Sequence, residues 1–180
     1  LFDPAVSGYG KVWHVDRAVR ALMRGTGPLK AAIDRGYPTR PGRDDTAIMG
    51  SSMGGLISLA AFVRYPRIYG RAGCLSTHWP IFIPAGEGAP VPHAAAVTAM
   101  WTGWLRDTLG APAGRRLWFD HGTATLDALY APYQAAVDAL LPTLGWMRGR
   151  DFESRVYPGA PHEENAWAAR LTDPLAWLYR

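Results

Sequence analysis

The sequence predicts an α/β fold in which helices cover both faces of a parallel sheet. From residue 46 onward, short apolar segments typical of buried strands alternate with longer segments of helical periodicity, and that order is typical of βαβ units. In addition, 48% of the 180 residues are hydrophobic and 12% are aromatic, which is enough to build one buried core. We therefore expect a single domain over residues 1–180, without internal repeats.

The region before residue 46 is expected to contain loops and two short helices. Residues 1–11 hold proline and glycine and are expected to form a loop. Apolar residues recur at helical spacing over 15–23, and Gly25 is expected to stop that helix. A second short helix is expected over 29–34, followed by a polar loop over 36–45.

The rest of the chain is expected to contain the sheet and its crossover helices. Strands are predicted at 46–49, 72–75, 116–120 and 153–157. Helices are predicted at 56–63, 93–109, 126–141, 163–171 and 174–179, with a loop rich in proline and glycine at 80–92. Pro66 is expected to end the helix before it, and Pro142 to end or kink the helix before it, because proline disfavours helical conformation at and before its own position.

Charge and composition argue against several function classes. The net charge is +4 and the arginines are scattered without a block of like charge, so we do not expect a nucleic-acid partner. No segment has the apolar length of a membrane span. The single cysteine, Cys74, excludes a disulfide within the chain and is expected to be a small core residue.

The N-terminal residues read Leu-Phe-Asp-Pro, without an initial methionine or a signal-peptide pattern. We interpret the chain as a processed, trimmed or partial product.

The segment Gly50-Ser51-Ser52-Met53-Gly54 fits the pattern G-x-S-x-G, between a predicted strand and a predicted helix. Such a corner holds its central residue in a strained conformation, and the flanking glycines let neighbouring elements close on it. The Ser52 hydroxyl would project clear of the sheet at the positive end of the helix. The N–H of Met53 would point to the same place and could stabilise an oxyanion.

A serine nucleophile needs a base, and the base needs a residue that orients it. Asp127 follows the strand predicted at 116–120, and His162 follows the strand predicted at 153–157. Both therefore lie at the carboxyl ends of strands, where open α/β sheets place their sites. Taken alone, Asp127 could be a helix cap and His162 a capping or surface residue. Asp120 is a competing acid, because it ends the same strand.

Other polar and aromatic residues could serve the site or the core. His78 and Trp79 follow a strand and could line a substrate pocket, or they could close the strand end with a packed tryptophan. Trp101 and Trp104, three positions apart, are expected to pack rather than bind. The spacing of the histidines and glutamates fits no metal-ligand pattern, so we expect neither a metal nor another cofactor.

Four segments of the chain carry a resemblance to a known family. They read GSSMGGLISLAAFVRYPRIYGRAGCLSTHW, FDHGTATLDALYAPYQAAVDALL, YPGAPHEENAWAARL and LFDPAVSGYGKVWHVDRAVRAL. In that order they resemble the serine corner with the next strand, the acid segment, the histidine segment, and the early loop and helix of the Putative esterase family of the α/β-hydrolase superfamily. This family includes enterochelin-esterase-like, feruloyl-esterase-like and esterase D-like proteins. The resemblance implies that Ser52 is the nucleophile, Asp127 the acid and His162 the base. The spacing from Asp127 to Tyr130 matches the family and favours Asp127 over Asp120.

The chain also departs from the family. Members usually carry a strand and an HDGQN-like loop before the segment that resembles residues 1–3, and that loop is expected to supply the second oxyanion donor. They also usually carry roughly sixty further residues, with another core strand, between the first helix and the helix that precedes the strand leading to the serine. We therefore expect an incomplete α/β-hydrolase-like sheet that lacks its early strands. The strand at 46–49 would become an open edge, which predicts low solubility, self-association or membership of a larger polypeptide.

The function predicted from these residues is hydrolysis of small-molecule carboxylic esters through a Ser-His-Asp triad and an acyl-enzyme, without a cofactor. Two alternatives stay open at this point. The chain could be a non-catalytic α/β-hydrolase remnant that serves as a binding or structural module, or it could transfer an acyl group to an alcohol.

Overall fold

The computed structural model describes residues 12–81 and 93–180. The loop predicted for residues 1–11 and most of the loop predicted for 80–92 lie outside the described residues.

Four strands form one parallel sheet in the order β1-β2-β3-β4. Their bounds are β1 (Ala47–Ser51), β2 (Arg71–Leu75), β3 (Arg116–Gly122) and β4 (Phe152–Tyr157). The register aligns the carboxyl ends of the strands, since Ser51 lies beside Leu75 and Leu75 lies beside Asp120. The predicted parallel sheet is confirmed, and its aligned ends bring the residues that follow each strand to one edge.

Helices and short 3-10 turns connect the strands. The helices are α1 (Val12–Gly36), α2 (Met53–Arg64), α3 (Ala94–Thr108), α4 (Ala131–Leu140), α5 (Glu164–Arg170) and α6 (Thr172–Leu178). The 3-10 turns cover Arg43–Asp45, Thr125–Leu129 and Leu141–Leu144.

Both faces of the sheet are covered, as predicted. Side chains alternate along a strand, and in β3 Leu117 and Phe119 join a large buried cluster that also holds residues of α2, α3 and α4, including Leu59. Trp118 points to the opposite face, where it packs with Trp177 of α6 in a smaller buried cluster. Cys74 is fully buried in the large cluster, which confirms its predicted place in the core.

The first helix differs from the prediction. The structure has one continuous helix over Val12–Gly36, with Gly25 and Pro28 inside it, so the predicted stop at Gly25 is wrong. The apolar positions Leu22, Leu29 and Ile33 keep helical spacing across the break that glycine and proline suggested. Packing of α1 against α2 therefore outweighs the local preference of these two residues.

The later elements match the predictions with shifted ends. The helix predicted at 126–141 is divided into the 3-10 turn Thr125–Leu129 and the helix Ala131–Leu140, followed by a second 3-10 turn that contains Pro142. In addition, β3 runs two residues further than predicted, to Gly122. This extension leaves only Thr123 and Ala124 between the strand end and the turn that contains Asp127.

Within the described residues, β1 is an edge of the sheet that pairs with β2 alone. All five residues of β1 are partly exposed. A groove of about 510 Å³ runs along this edge, lined by Ile48 and Met49 of β1 and by Leu22, Leu29 and Ile33 of α1. The predicted open edge is thus present in the described part of the chain, and self-association through it stays a prediction.

Candidate active site

Ser52 lies at the corner between β1 and α2, with φ of 56° and ψ of −121°. A positive φ of this kind is rare for a residue with a side chain and stores strain. The Ser52 N–H donates to the Leu75 carbonyl at 2.9 Å, and the Ser52 carbonyl accepts from Gly55 at 3.0 Å. Sheet and helix together hold the corner in this conformation, which turns the hydroxyl away from the sheet.

The two glycines of the corner have different roles. A β-carbon on Gly50 would lie 2.8 Å from backbone atoms of Gly54, so any side chain there would push β1 and α2 apart. A β-carbon on Gly54 would meet nothing within 4 Å. The expectation that both flanking positions must be small is therefore confirmed at Gly50 and wrong at Gly54.

His162 follows β4 and reaches the Ser52 hydroxyl. Its Nε2 lies 2.9 Å from Ser52 Oγ, and its backbone N–H donates to Thr125 Oγ1 at 2.8 Å. The imidazole is 13% exposed, so it is mostly sheltered but still open to solvent on one side.

Asp127 lies in the 3-10 turn after β3, and its side chain is fully buried. Its Oδ1 is 2.6 Å from His162 Nδ1. Its Oδ2 accepts a hydrogen bond from the Gly122 N–H at 2.5 Å and from the Ser76 hydroxyl at 2.6 Å. Both carboxylate oxygens therefore have partners, and only Oδ1 faces the imidazole.

These contacts define the proton on each nitrogen of His162. An ionised carboxylate only accepts hydrogen bonds, so Nδ1 carries a proton that it donates to Asp127. In the neutral imidazole Nε2 then has no proton and can accept from the Ser52 hydroxyl. The arrangement has the protonation pattern that a general base requires.

Burial and hydrogen bonding act in opposite directions on Asp127. Burial alone would raise the pKa of its carboxyl, because the charged form loses hydration. The hydrogen bonds from His162, Ser76 and the Gly122 N–H favour the charged form and together outweigh burial, so the pKa of Asp127 lies below the ordinary value of 3.8. Asp127 is therefore ionised wherever the protein is folded near neutral pH.

The competing acid, Asp120, has other partners. Its Oδ2 accepts from the Trp118 indole N–H at 2.8 Å, and its Oδ1 accepts from the Arg170 guanidinium at 2.8 Å. Burial holds the pKa of Asp120 above 3.8, although Arg170 and Trp118 favour the charged form. The structure thus brings Asp127, and not Asp120, to His162.

Met53 is the first residue of α2. The first N–H groups of a helix have no acceptor within the helix and carry its positive dipole end. The backbone N–H of Met53 follows the Ser52 corner directly, in the place expected for one oxyanion donor. Its role stays a prediction.

His78 and Trp79 are both buried, with 4% and 1% exposure. The Trp79 indole donates to Gln134 at 3.0 Å and packs against Trp101 at 5.6 Å between ring centroids, as expected for a core side chain. His78 lies close to the site, since its Nδ1 is 2.7 Å from the Tyr130 hydroxyl and its ring is 6.5 Å from that of His162. The structure favours the packing alternative for Trp79, and a substrate contact by His78 stays a prediction.

Sequence reasoning missed two residues that touch the acid side of the site, Ser76 and Arg170. Ser76 directly follows β2, at the same edge of the sheet as the other site residues, and that position was a usable signal. Arg170 lies at the end of α5, and nothing in its sequence surroundings distinguishes it from the other scattered arginines.

Two further features bear on the class of site. Across residues 12–81 and 93–180, no group of three histidine, cysteine or acidic side chains is arranged to hold a metal ion. In the same part of the chain, no helix combines the length and apolar character that crossing a bilayer requires.

A model of the Putative esterase family matches residues 26–178. No curated protein matches the chain.

Three solved structures illustrate the likeness. The chain is similar to enterochelin esterase from Shigella flexneri, with a TM-score of 0.64 and 20% identity over 90% of this chain and 37% of that one. It is similar to SOBER1 from Arabidopsis thaliana, with a TM-score of 0.57 and 23% identity over 92% and 63% of the two chains. For ferric enterobactin esterase from Salmonella typhimurium, the values are 0.58 and 22% over 84% and 34%.

At these identities the likeness shows a fold of the α/β-hydrolase type. The chain spans between 34% and 63% of the length of these three structures.

Proposed function

The chain belongs to the Putative esterase family, and on that premise we propose that it hydrolyses carboxylic esters with Ser52 as nucleophile, His162 as base and Asp127 as acid. The observation that carries the proposal is the continuous hydrogen-bonded path from Ser52 Oγ through His162 to Asp127, with distances of 2.9 Å and 2.6 Å. Because His162 Nε2 is within hydrogen-bonding distance of Ser52 Oγ, it can accept the hydroxyl proton as the oxygen attacks.

In the first half of the reaction, Ser52 Oγ attacks the ester carbonyl while its proton passes to His162 Nε2. The imidazolium that forms is stabilised by Asp127, which lies against Nδ1. The tetrahedral intermediate carries a negative oxygen, and the Met53 N–H at the start of α2 donates to it. The intermediate collapses when His162 returns the proton to the leaving alcohol, and an acyl-serine remains.

In the second half, a water molecule replaces the alcohol. His162 Nε2 accepts a proton from the water as the water oxygen attacks the acyl-serine, and it then returns that proton to Ser52 Oγ. The carboxylic acid leaves and the free enzyme is restored. Every proton transfer in this scheme uses side chains of the described site, so the cycle requires no cofactor.

Covalent labelling with a fluorophosphonate tests this proposal. The probe reacts with an activated serine, so we expect labelling of the wild type and of Ser51→Ala, but not of Ser52→Ala. Ser51 is the matched control because it is the neighbouring serine, at the end of β1. Folded wild type that takes no label would contradict the proposal and favour the alternative of a non-catalytic binding module.

A further inference from the structure

A buried hydroxyl lies behind the acid of the site. Ser76 has no exposed surface, and its φ of 40° is positive, an uncommon conformation for a residue other than glycine. Its N–H donates to the Asp120 carbonyl at 2.8 Å. A strained serine at the end of a core strand persists only where its surroundings fix it, which indicates that the position of this hydroxyl matters.

Three side chains meet at the Ser76 hydroxyl. Its Oγ lies 2.9 Å from the Trp167 indole nitrogen, 2.8 Å from Arg170 Nη2 and 2.6 Å from Asp127 Oδ2. Indole and guanidinium nitrogens can only donate, so they occupy the acceptor positions of the hydroxyl. The single hydroxyl proton must therefore point to Asp127.

Arg170 is held in place by the second carboxylate. It is 5% exposed, and its Nε and Nη2 both donate to Asp120 Oδ1, at 3.1 Å and 2.8 Å. The distance from Arg170 Nη2 to Asp127 Oδ2 is 3.9 Å, so no direct hydrogen bond joins these two. Asp120 thus compensates the charge of Arg170, while Ser76 stands between the guanidinium and Asp127.

Trp167 contacts both ends of this arrangement. Its indole N–H donates to Ser76, and its ring lies edge-on to the His162 imidazole with 5.0 Å between centroids. The side chain that orients the Ser76 hydroxyl therefore also limits the tilt of the base.

We infer that Ser76 is a positioning residue for ester hydrolysis, which fixes the carboxylate of Asp127 so that Oδ1 faces His162, and that Trp167 and Arg170 orient its hydroxyl. The inference rests on the proposed function, because it assigns Ser76 a task within the same site. The Ser76 hydroxyl and the Gly122 N–H both donate to Oδ2, and together they keep the carboxylate from rotating, so that the bond from Oδ1 to Nδ1 stays aligned.

The test is a double-mutant cycle read out as the rate constant of fluorophosphonate labelling. Ser76→Ala should lower this rate constant by about 10- to 100-fold, as expected for a lost hydrogen bond to a charged group. In an Asp127→Ala background, the same substitution should change the rate constant by less than about twofold, since its target is gone. Thr77→Val is the matched control, because this neighbouring hydroxyl is equally buried but bonds the Cys74 carbonyl at 3.1 Å.

The outcomes separate the two proposals. Unlabelled, folded wild type would overturn the proposed function and this inference with it. Two results would overturn the inference alone. In one, wild type and Ser76→Ala are labelled with the same rate constant; in the other, Ser76→Ala lowers the rate constant equally in the wild-type and Asp127→Ala backgrounds.

Circular dichroism verifies the fold of each variant. If Ser76→Ala does not fold, Trp167→Phe takes its place, because it keeps an aromatic ring beside His162 but removes the donor to Ser76. Its labelling rate constant should fall severalfold in the wild-type background only. An unchanged rate constant would contradict the inference.

Discussion

Nε2 of His162 lies 2.9 Å from Oγ of Ser52, although 110 positions separate the two residues in the chain. The parallel register of the sheet brings them together, because β1 ends next to Ser52 and β4 ends shortly before His162. The turn after β3, between these strands in sequence, contributes Asp127. The proposed chemistry thus depends on three loops at one edge of the sheet.

The two buried carboxylates should differ in their effect on catalysis. Asp127→Asn keeps one acceptor oxygen, but the donors Ser76 and Gly122 hold that oxygen at the Oδ2 position, so the amide NH2 faces His162 Nδ1. The imidazole then loses its tautomer, and fluorophosphonate labelling should slow by about 10⁴-fold. Asp120→Asn leaves the contact between Asp127 and His162 in place, so the labelling rate constant should fall by less than about tenfold. The main effect should be lower stability of the fold, because Arg170 loses its charge partner. Equal losses in the two variants, measured on folded protein, would argue against Asp127 as the acid.

The strain at Ser52 should be measurable as stability. Glycine adopts a positive φ without penalty, whereas alanine does not. Ser52→Gly should therefore be more stable than Ser52→Ala by about 1 kcal/mol, which corresponds to about 2–4 °C in melting temperature for a chain of this size. Both variants lack the hydroxyl of Ser52, so the difference between their melting temperatures reports the backbone conformation at this position. Differential scanning calorimetry measures both melting temperatures. A higher melting temperature for the alanine variant would show that the corner is not strained.

The contribution of ionised Asp127 to the stability of the fold should depend on pH. Its pKa is lowered in the folded state, so its contribution is present above the unfolded value of 3.8 and is lost as the pH falls through the lower, folded value. We expect the stability difference between wild type and Asp127→Asn to be constant near pH 5 and to narrow below about pH 4. Urea unfolding at a series of pH values measures it. A difference that widens in acid would contradict the lowered pKa.

We propose that the open edge of β1 pairs with a second copy of this chain. Two partly exposed apolar strands can hydrogen-bond edge to edge, and a lysine on such a strand opposes the pairing. Sedimentation velocity should therefore show dimers or larger species of the wild type and mainly monomers of Ala47→Lys. Ala99→Lys is the charge-matched control, because Ala99 is exposed on α3, and it should behave like the wild type. A wild type that stays monomeric at all concentrations would contradict the proposal.

The strands and the residues of the candidate site could be predicted because they follow local patterns. Buried strands between helices have a distinct apolar signature, and the G-x-S-x-G corner has to fall between a strand and a helix. The candidate base and acid follow from their place after β4 and β3. Their order along the chain is a property of the sequence itself, so it survives errors of a few residues in the element ends.

Other features depend on packing that no local pattern shows. Gly25 and Pro28 signal an interruption in the first helix, but contact with α2 keeps α1 continuous. The different demands on Gly50 and Gly54 arise from how closely β1 approaches α2. Arg170 reaches Asp120 across 50 positions, and a pairing over that distance between two common residue types has no signature in one sequence.

The most direct test of the central claim is to trap the acyl-enzyme. The protein is mixed with p-nitrophenyl acetate, quenched with acid at early times and digested with trypsin, which releases the peptide from residues 44 to 64. We predict that this peptide gains the mass of one acetyl group, that fragmentation assigns it to Ser52 and not Ser51, and that Ser52→Ala shows none. Turnover of the ester with the acetyl group on another residue, or folded protein that never acquires it, would contradict the account.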